Sequence, residues 1–541
     1  MATLDPHLER EIDSRISHLD AELRALRLKR NKLIPPISRL PPELLCRVFQ
    51  FCQRHTDIQW IYVTHLCHVW RTTALAYPNL WTYIQLGFRS PFFHEMLFRA
   101  GSALPLSISG MLTDDHISTI QSLPQYAPRL REVSLTAPSS VLSIRLAAVM
   151  AQICAPGVAP LLEHLGVSFY EPISVVPAIL LLRPSPGPAN LSELILENCI
   201  LPWDVFVPPP SLTALEITFT ALNIEGIAPY VDQIVAILQR APQLANLVLK
   251  NAIGSDPSDA PTSLECALNL QHLTTLHIES SVDECVNLLD ELLFPALLSL
   301  TISCHPAFHP RQLLPHLKYW AHITDANHAI STARLKCIHE ITHDKLVVQL
   351  YPSATSRPAL DLRLRVPSAV HSREREGVIA GWVEILTILP LSSLICLSVH
   401  DLPEYFPNTD FLAPFTRLDR LAEIAVHGEC AATALLSSLV AQVPACMYDL
   451  AGAGGWRGLD QGSNLDLGGT RMDLYPALET LRIEGCGRLG ADAFAKLVGF
   501  VKWRRRTGQG LPVLRLEQCE RLVDERMREA LRDLVGELVV T

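Results

Sequence analysis

Several features that mark common protein classes are missing from this 541-residue sequence. Charged residues make up only 18% of the chain, below the usual quarter, while 49% of the residues are hydrophobic. This composition predicts a folded chain with a large core, and the net charge of −10 argues against general binding to nucleic acid. The most apolar stretch, 146–162, is interrupted by Gln152, Pro156 and Pro160, so we expect no membrane span.

The first residues and the cysteines lack the signals of a secreted protein. The opening MATLDPHLEREID contains no apolar core of a signal peptide, so we expect no secretory leader. The 14 cysteines include no C-x-x-C pair, which favours buried small hydrophobic groups over metal or redox sites. These absences predict a cytoplasmic or nuclear protein.

Catalytic signatures are scarce. The sequence has no G-x-S-x-G and no P-loop, and one segment, His339-Glu340-x-x-His343, matches H-E-x-x-H. On a helix, His339 and His343 would bind zinc, with Glu340 as general base. The surrounding LKCIHEITHDKLVVQLY instead indicates strand, turn and strand, where neighbouring side chains point to opposite faces. We predict no catalytic residues, no metal and no cofactor, with a zinc hydrolase as the remote alternative.

The first predicted element is a single helix over residues 9–34. Apolar residues recur along it at alternating spacings of four and three, namely Ile12, Ile16, Leu19, Leu23, Leu26 and Leu33. Arg30 occupies the remaining position of this heptad seam of about three repeats. Two interpretations stay open: a coiled coil that forms a homodimer, and an amphipathic helix that packs on its own chain.

A second helical region covers residues 37–86 and begins at Leu40-Pro41-Pro42-Glu43. Proline in the first turn and Glu43 near the positive end of the helix dipole both favour a helix start. An apolar helix face follows, and a second apolar stretch with two tryptophans ends at Pro78. So small a unit buries little by itself, so it is either a cap on a larger domain or a docking unit.

The strings LPPELLCRVF and VTHLCHVWRTTALAYPNLW resemble an F-box. The resemblance rests on the Leu-Pro-Pro-Glu start, the apolar face after it, Val69-Trp70-Arg71 and Pro78-x-Leu80-Trp81. It implies docking onto the adaptor subunit of a cullin-RING ubiquitin ligase of the SCF type. The adaptor-binding residues that it implies are Leu40, Pro41, Pro42, Glu43, Leu44, Leu45, Val48, Phe49, Val69, Trp70, Leu80 and Trp81.

After residue 86 the motif L-x-x-L-x-L recurs. Well-formed copies start at Leu191, Leu212, Leu244, Leu273, Leu297, Leu394, Leu421, Leu478 and Leu511. Longer gaps predict missed units near Leu335 and Leu360, and three copies extend to Cys199, Cys486 and Cys519. This pattern matches the leucine-rich-repeat consensus, in which each unit contributes a short strand and stacking buries the leucines.

The predicted fold class is α/β. We expect an amphipathic helix at 1–34, a small all-α F-box at 35–86, and an irregular leucine-rich-repeat solenoid at 87–541 with a Gly-rich insertion at 451–470. Side chains between the motif leucines should face solvent. Those expected to bind a protein target are Lys250, His277, Glu279, His427, Arg482, Glu484, Arg515 and Glu517.

Together these features predict a non-enzymatic substrate receptor. Its partners would be the ligase adaptor, a cullin and an unknown protein target, with no nucleic acid and no membrane. The alternative is a non-degradative interaction scaffold built on the same repeats.

Overall fold

The computed structural model describes residues 6–33, 37, 40–55, 58–86, 90–169, 188–220, 227–254, 267–305, 309–327, 329–339, 343–353, 356–367, 372–402, 415, 418–441, 475–486, 491–519 and 525–541. The predicted Gly-rich insertion at 451–470 lies outside them. The chain divides into two compact units, Met1–Ser211 and Leu212–Thr541, here called unit one and unit two. The predicted boundaries at residues 34 and 86 stay predictions.

Unit one begins with helices and continues with alternating strands and helices. Its α-helices are α1 (Pro6–Leu33), α2 (Pro42–His55), α3 (Val63–Leu66), α4 (His68–Leu75), α5 (Ser90–Ala100), α6 (Ile117–Ser122) and α7 (Ser140–Ile153). Its strands are β1 (Tyr83–Leu86), β2 (Leu106–Met111), β3 (Leu130–Ala137), β4 (His164–Phe169) and β5 (Glu193–Glu197). These five strands pair in chain order, each parallel to the next.

Helix α2 begins where the sequence predicts. Pro42 is its first residue and Glu43 lies in its first turn, where a carboxylate stabilises the positive end of the helix dipole. Short 3₁₀ turns at Ile58–Tyr62 and Pro78–Trp81 flank α3 and α4. The described part of residues 42–81 is therefore largely helical, as expected. Residues 83–86 depart from the predicted all-α unit at 35–86, because they form β1, which pairs with β2.

Unit two contains a longer sheet with helices between many of its strands. Its α-helices are α8 (Val231–Gln239), α9 (Val282–Asp290), α10 (Leu314–Asn327), α11 (Ser372–Ile388), α12 (Glu429–Ala441), α13 (Ala491–Arg506) and α14 (Glu525–Arg532). The strands are β6 (Ala214–Thr218), β7 (Asn246–Lys250), β8 (Leu268–Asn269), β9 (Thr275–Ser280), β10 (Leu292–Leu293), β11 (Ser299–Cys304), β12 (Ile330–His339), β13 (His343–Pro352), β14 (Leu360–Pro367), β15 (Cys396–His400), β16 (Glu423–His427), β17 (Thr480–Glu484), β18 (Val513–Glu517) and β19 (Glu537–Val540).

Strand order in unit two departs from chain order at one place. The order is β6-β7-β9-β11-β14-β13-β12-β15-β16-β17-β18-β19, while β8 and β10 form a separate parallel pair. Among the described strands only β13 runs antiparallel to its neighbours. Strands β12 and β14 contain Leu335 and Leu360, where missed units were predicted. The predicted α/β class is confirmed: both units combine helices with a mostly parallel sheet.

Alternating burial along the strands locates the core. In β9, for example, Leu276 and Ile278 are buried, while His277 and Glu279, which alternate with them, are half-buried. The same alternation runs through β5, β6, β15, β16 and β17. The motif leucines therefore form the core, and the residues between them form the opposite face of the sheet, as period-two geometry requires.

The residue that follows a strand repeatedly adopts a left-handed backbone conformation. It is Asn198 (φ 54°), Asn251 (φ 47°), Asp401 (φ 50°), Gly428 (φ 91°), Gly485 (φ 64°) or Gln518 (φ 56°). Asn, Asp and Gly tolerate this region best, so these turns fit their sequences. The Asn198 side-chain amide also donates a hydrogen bond to the Phe169 carbonyl of the preceding strand, at 2.6 Å. Each turn thus ties one strand to its neighbour.

The motif cysteines lie at these turns. Cys199, Cys486 and Cys519 each come directly after a left-handed residue, and all three are buried. Burial raises the pKa of the Cys199 thiol well above its ordinary range, so it stays protonated at neutral pH. A protonated, buried thiol behaves as a small apolar group.

Candidate functional site

Part of the predicted adaptor-binding set forms the core of the helical region. Leu45, Phe49, Leu80 and Trp81 are all buried. The ring centroids of Phe49 and Trp70 lie 5.2 Å apart, and the Trp81 indole Nε1 donates a hydrogen bond to the Ala74 carbonyl at 3.0 Å. These four buried side chains hold α2, α4 and the turn at Pro78–Trp81 together, so they are not available for contact with a partner.

The rest of the predicted set reaches solvent. Leu40, Pro41, Pro42, Glu43, Leu44 and Val69 are exposed, and Val48 and Trp70 are half-buried. Three further apolar side chains of the same helices are more exposed still: Phe51 (66%), Tyr62 (70%) and Leu66 (64%). The sequence could have indicated Phe51, because it lies seven residues after Leu44 and therefore on the same helix face.

A groove runs between α2 and α4. Its volume is about 940 Å³, and it is lined by Pro42, Glu43, Cys46, Arg47, Gln50, Phe51, Thr72, Thr73, Ala76 and Tyr77. Burial, and to a smaller extent the Glu43 carboxylate, raises the pKa of the Cys46 thiol. The groove is one candidate interaction site. We call the groove together with the exposed side chains of the same helical region, Leu44, Phe51, Tyr62, Leu66 and Val69, the helical surface.

The predicted target-binding residues all lie in unit two, on the sheet face opposite the leucines. Lys250 ends β7, His277 and Glu279 lie in β9, and His427 ends β16. Arg482 and Glu484 lie in β17, and Arg515 and Glu517 occupy the matching positions of β18. We call this side of the sheet the polar face.

Many charges of the polar face pair with one another. Lys250 Nζ lies 2.8 Å from Glu216 Oε1, and Arg365 Nη2 lies 3.1 Å from Glu279 Oε1. Arg482 pairs with both Glu484 and Glu517. Of the predicted charges, Arg515 is exposed, whereas Arg482 is partly neutralised by its own strand and its neighbour. In β17 and β18 the predicted set therefore pairs within itself, whereas Lys250 and Glu279 pair with residues outside the set.

Sequence reasoning missed a basic cluster on strands β12 to β15. Arg334, Lys336, Ile338, Lys345, Val347, Gln349, Arg363 and His400 line a pocket of about 310 Å³ on the polar face. Apart from His400, which directly follows the copy that starts at Leu394, these residues lie outside the well-formed L-x-x-L-x-L copies, so the pattern search passed over them. The available signal was the alternation Ala333-Arg-Leu-Lys-Cys337, which places both cations on one side of a strand.

Histidines of the polar face have lowered pKa values. Burial lowers the pKa of His277, with nearby Lys250 acting in the same direction. Burial also lowers the pKa of His400, followed by the effects of His427 and Arg334. Both side chains are therefore mainly neutral at pH 7.

The H-E-x-x-H segment lacks helical geometry. His339 ends β12 and His343 begins the antiparallel strand β13, while Glu340 lies outside the described residues. His339 Nδ1 lies 2.8 Å from Asp344 Oδ1, and the two residues with Cys337 form the only group in the described part of the chain whose ligand atoms could surround a metal. Burial raises the pKa of Cys337 to about 12, which keeps the thiol protonated and a poor ligand.

Comparison with known proteins adds no family. No protein-family model matches the chain, and no curated protein matches it. None of the described helices has both the length and the apolar character needed to cross a bilayer.

Proposed function

We propose that this chain is a substrate receptor of an SCF-type cullin-RING ubiquitin ligase. Its helical region would dock the adaptor subunit, and its strands would hold a protein target. The observation that carries the proposal is the helical surface, where Phe51 lines a groove between α2 and α4. Leu44, Tyr62, Leu66 and Val69 of the same helical region are also exposed. The Leu40-Pro41-Pro42-Glu43 start and the Pro78-x-Leu80-Trp81 ending supply the resemblance to an F-box.

The exposure of the side chains narrows the set of residues that would bind the adaptor. Contiguous exposed apolar side chains typically mark an interaction site, whereas singly scattered ones need no explanation. Leu40, Leu44 and Phe51 occur at spacings of four and seven on and just before α2, so they share one side of that helix. Leu45, Phe49, Leu80 and Trp81 would support this side from beneath without touching the adaptor.

For the repeats, we propose leucine-rich-repeat stacking within each unit. Support comes from the parallel pairing of strands with buried leucines, from the left-handed turn after many strands, and from the buried cysteine that follows three of these turns. Each strand with its return segment would stack on its neighbour, since one unit cannot bury its leucines alone. The antiparallel strand β13 makes the proposed array irregular.

In this proposal the chain contributes no catalysis, and the partner subunits supply ubiquitin transfer. The protein would work in the cytoplasm or the nucleus, where such ligases act. A non-degradative scaffold that uses the same polar face is the alternative, and ubiquitination of captured partners distinguishes the two.

Replacement of Leu44 tests adaptor docking. Leu44 is 47% exposed, so Leu44→Asp should leave the fold intact but place an unpaired carboxylate in an apolar contact, which costs several kcal/mol. The full-length wild-type protein should capture the adaptor and a cullin in a pull-down, and Leu44→Asp should capture neither. Leu45→Asp is unsuitable, because Leu45 is buried and the change would disrupt the helices.

Ile144→Asp is the matched control. Ile144 is 52% exposed on α7 of the same unit, so the substitution adds the same charge at a similar exposure away from the helical surface. It should capture adaptor and cullin as wild type does. A wild-type protein that recovers no adaptor contradicts the proposal and favours the scaffold.

A further inference from the structure

Four neighbouring strands of unit two bring cationic side chains together on the polar face. Arg334 and Lys336 of β12 lie opposite Ser398 and His400 of β15. On the other side of β12, the register places Lys336 opposite Val347 of β13, and Val347 lies opposite Arg363 of β14. Lys345 is two residues before Val347 on the same face. We call Arg334, Lys336, Lys345, Arg363 and His400 the basic patch.

The basic patch carries a charge opposite to that of the whole chain. Its pocket is lined by four cations and one histidine and by no acidic residue, in a protein with a net charge of −10. Arg363 of the patch donates two hydrogen bonds to Asp361, at 2.9 and 2.7 Å, so its charge is largely neutralised, and the nearby Glu279 pairs with Arg365. Arg334 and Lys336 are exposed, so positive charge remains for an external anion.

The spacing of the cations indicates how the negative charges of the ligand are arranged. Arg334 and Lys336 are two residues apart on one strand, which separates them by about 6.6 Å, and neighbouring strands lie about 4.8 Å apart. The charges are thus spread along and across strands and do not converge on one point. An extended peptide with acidic side chains at alternate positions repeats at the same distance of about 6.6 Å.

We propose that the basic patch binds an extended acidic segment of the protein target, with Asp or Glu at alternate positions. This inference rests on the proposed function in that the ligand is a target protein. Nucleic acid fits less well, because its binding rests on many Lys and Arg contacts to phosphates, and the pocket offers four such side chains in a chain with a net charge of −10.

Fluorescence anisotropy with the full-length protein and synthetic peptides tests the proposal. The main probe is a labelled Ser/Gly peptide with three Glu residues at alternate positions, compared with an isomer whose three Glu residues are contiguous and with a Lys-containing counterpart. Wild type should bind the alternating peptide more tightly than its isomer and should not bind the Lys peptide. Raising the salt from about 50 to about 300 mM should weaken binding, since exposed charges are screened.

Two double variants and a control localise the binding. Arg334→Glu with Lys336→Glu should weaken it roughly tenfold or more, because two attractions become repulsions. Arg334→Ala with Lys336→Ala should give a smaller loss in the same direction without introducing new charge. Lys318→Glu changes an exposed cation on helix α10, outside the sheet, and should bind the peptide as wild type does.

Three results would overturn the proposal: no binding of the alternating peptide up to about 1 mM, equal losses in Lys318→Glu and the double variants, or tighter binding of a singly phosphorylated peptide without carboxylates. The last would assign a phosphate site. Adaptor capture by the same preparations separates this proposal from the ligase function. Wild type that binds the peptide but not the adaptor contradicts only the receptor role, and wild type that binds only the adaptor contradicts only the acidic-segment assignment.

Discussion

Arg504 is buried although it lies in a run of cationic residues, which are typically exposed. It lies within Lys502-Trp503-Arg504-Arg505-Arg506, a run that the sequence presents as the solvated end of a helix. Its guanidinium is instead fully buried and donates hydrogen bonds to the carbonyls of Gly510, Tyr475 and Leu478, at 2.8, 2.8 and 3.2 Å. Burial lowers the pKa of Arg504 to about 10, so it remains charged at neutral pH.

Replacement of Arg504 should destabilise unit two. Arg504→Met removes the donors of three buried carbonyl interactions, and we expect a loss of about 3 kcal/mol or more in the free energy of unfolding. Arg506→Met, an exposed neighbour on the same helix, should change it by less than about 0.5 kcal/mol. Denaturant melts of both variants measure the difference, and equal stability of the two would contradict the structural role of Arg504.

His277 should make stability depend on pH. Burial, with Lys250 and Arg363 nearby, lowers its pKa in the folded protein, while Glu279 and Asp361 act in the opposite direction. Below about pH 6.5 the unfolded chain therefore binds a proton that the folded chain resists, so stability falls as the pH drops. The melting temperature of wild type should decrease from pH 7.5 to pH 5, and His277→Gln should decrease less. Identical decreases would rule out a contribution from His277.

At the scale of single elements, α1 is the helix with the least contact to its own chain. The helix predicted over residues 9–34 is present, and its seam residues Ile12, Ile16, Leu19, Leu23, Leu26 and Leu33 are all exposed. In a heptad assignment Ile16 and Leu23 occupy a positions, and Ile12, Leu19 and Leu26 occupy d positions, as in the apolar seam of a coiled coil. The packing of α1 on its own chain is not found among the described residues.

Charges beside the seam favour a parallel homodimer of α1. The flanking g positions hold Arg15 and Glu22, and the e positions of the following heptads hold Asp20 and Arg27. In a parallel pair Arg15 would face Asp20 of the second copy, and Glu22 would face Arg27, so both contacts are attractive. Arg30 in the seam would limit the stability of this coiled coil at its C-terminal end.

Light scattering on the full-length protein measures this association. We expect a dimer, a monomer after removal of residues 1–34, and a weakened dimer for Glu22→Lys, in which Lys would oppose Arg27. The double change Glu22→Lys with Arg27→Glu should restore the dimer by reversing the pair. A monomeric wild-type protein would exclude dimerisation through α1.

Local sequence patterns predicted where the helices and strands lie better than they predicted which strands pair. Leucine alternation located the strands, and the segment LKCIHEITHDKLVVQLY correctly indicated two strands, because the side-chain period is a local property. The turn predicted between them lies outside the described residues. The pairing of β11 with β14 depends on a contact between distant segments, which no local pattern encodes. The same limit explains the candidate site: Leu44 and Leu45 share a helix pattern, but only tertiary packing buries Leu45 and exposes Leu44.

At the scale of the molecule, each strand of the main sheet in unit two pairs only with one or two neighbours, so damage should stay local. Hydrogen exchange of Arg504→Met should rise in β17 and β18, whose flanking carbonyls it supports, by about a hundredfold for a loss of about 3 kcal/mol. Exchange in β6, β7 and β9 should match wild type. An equal increase of the hydrogen-exchange rate in all strands of unit two would instead indicate that the unit unfolds as one cooperative unit.

The insertion of β12 and β13 has a consequence for synthesis. Leu247 of β7 pairs with Leu276 of β9. Leu300 of β11 pairs with Leu360 of β14, and this sequence separation is about twice as long, so β14 is synthesised correspondingly later. At about 5–20 residues per second, the edge of β11 stays unpaired for several seconds on the ribosome. An open parallel edge is a template for wrong pairing, so this interval is when the nascent chain most needs a chaperone.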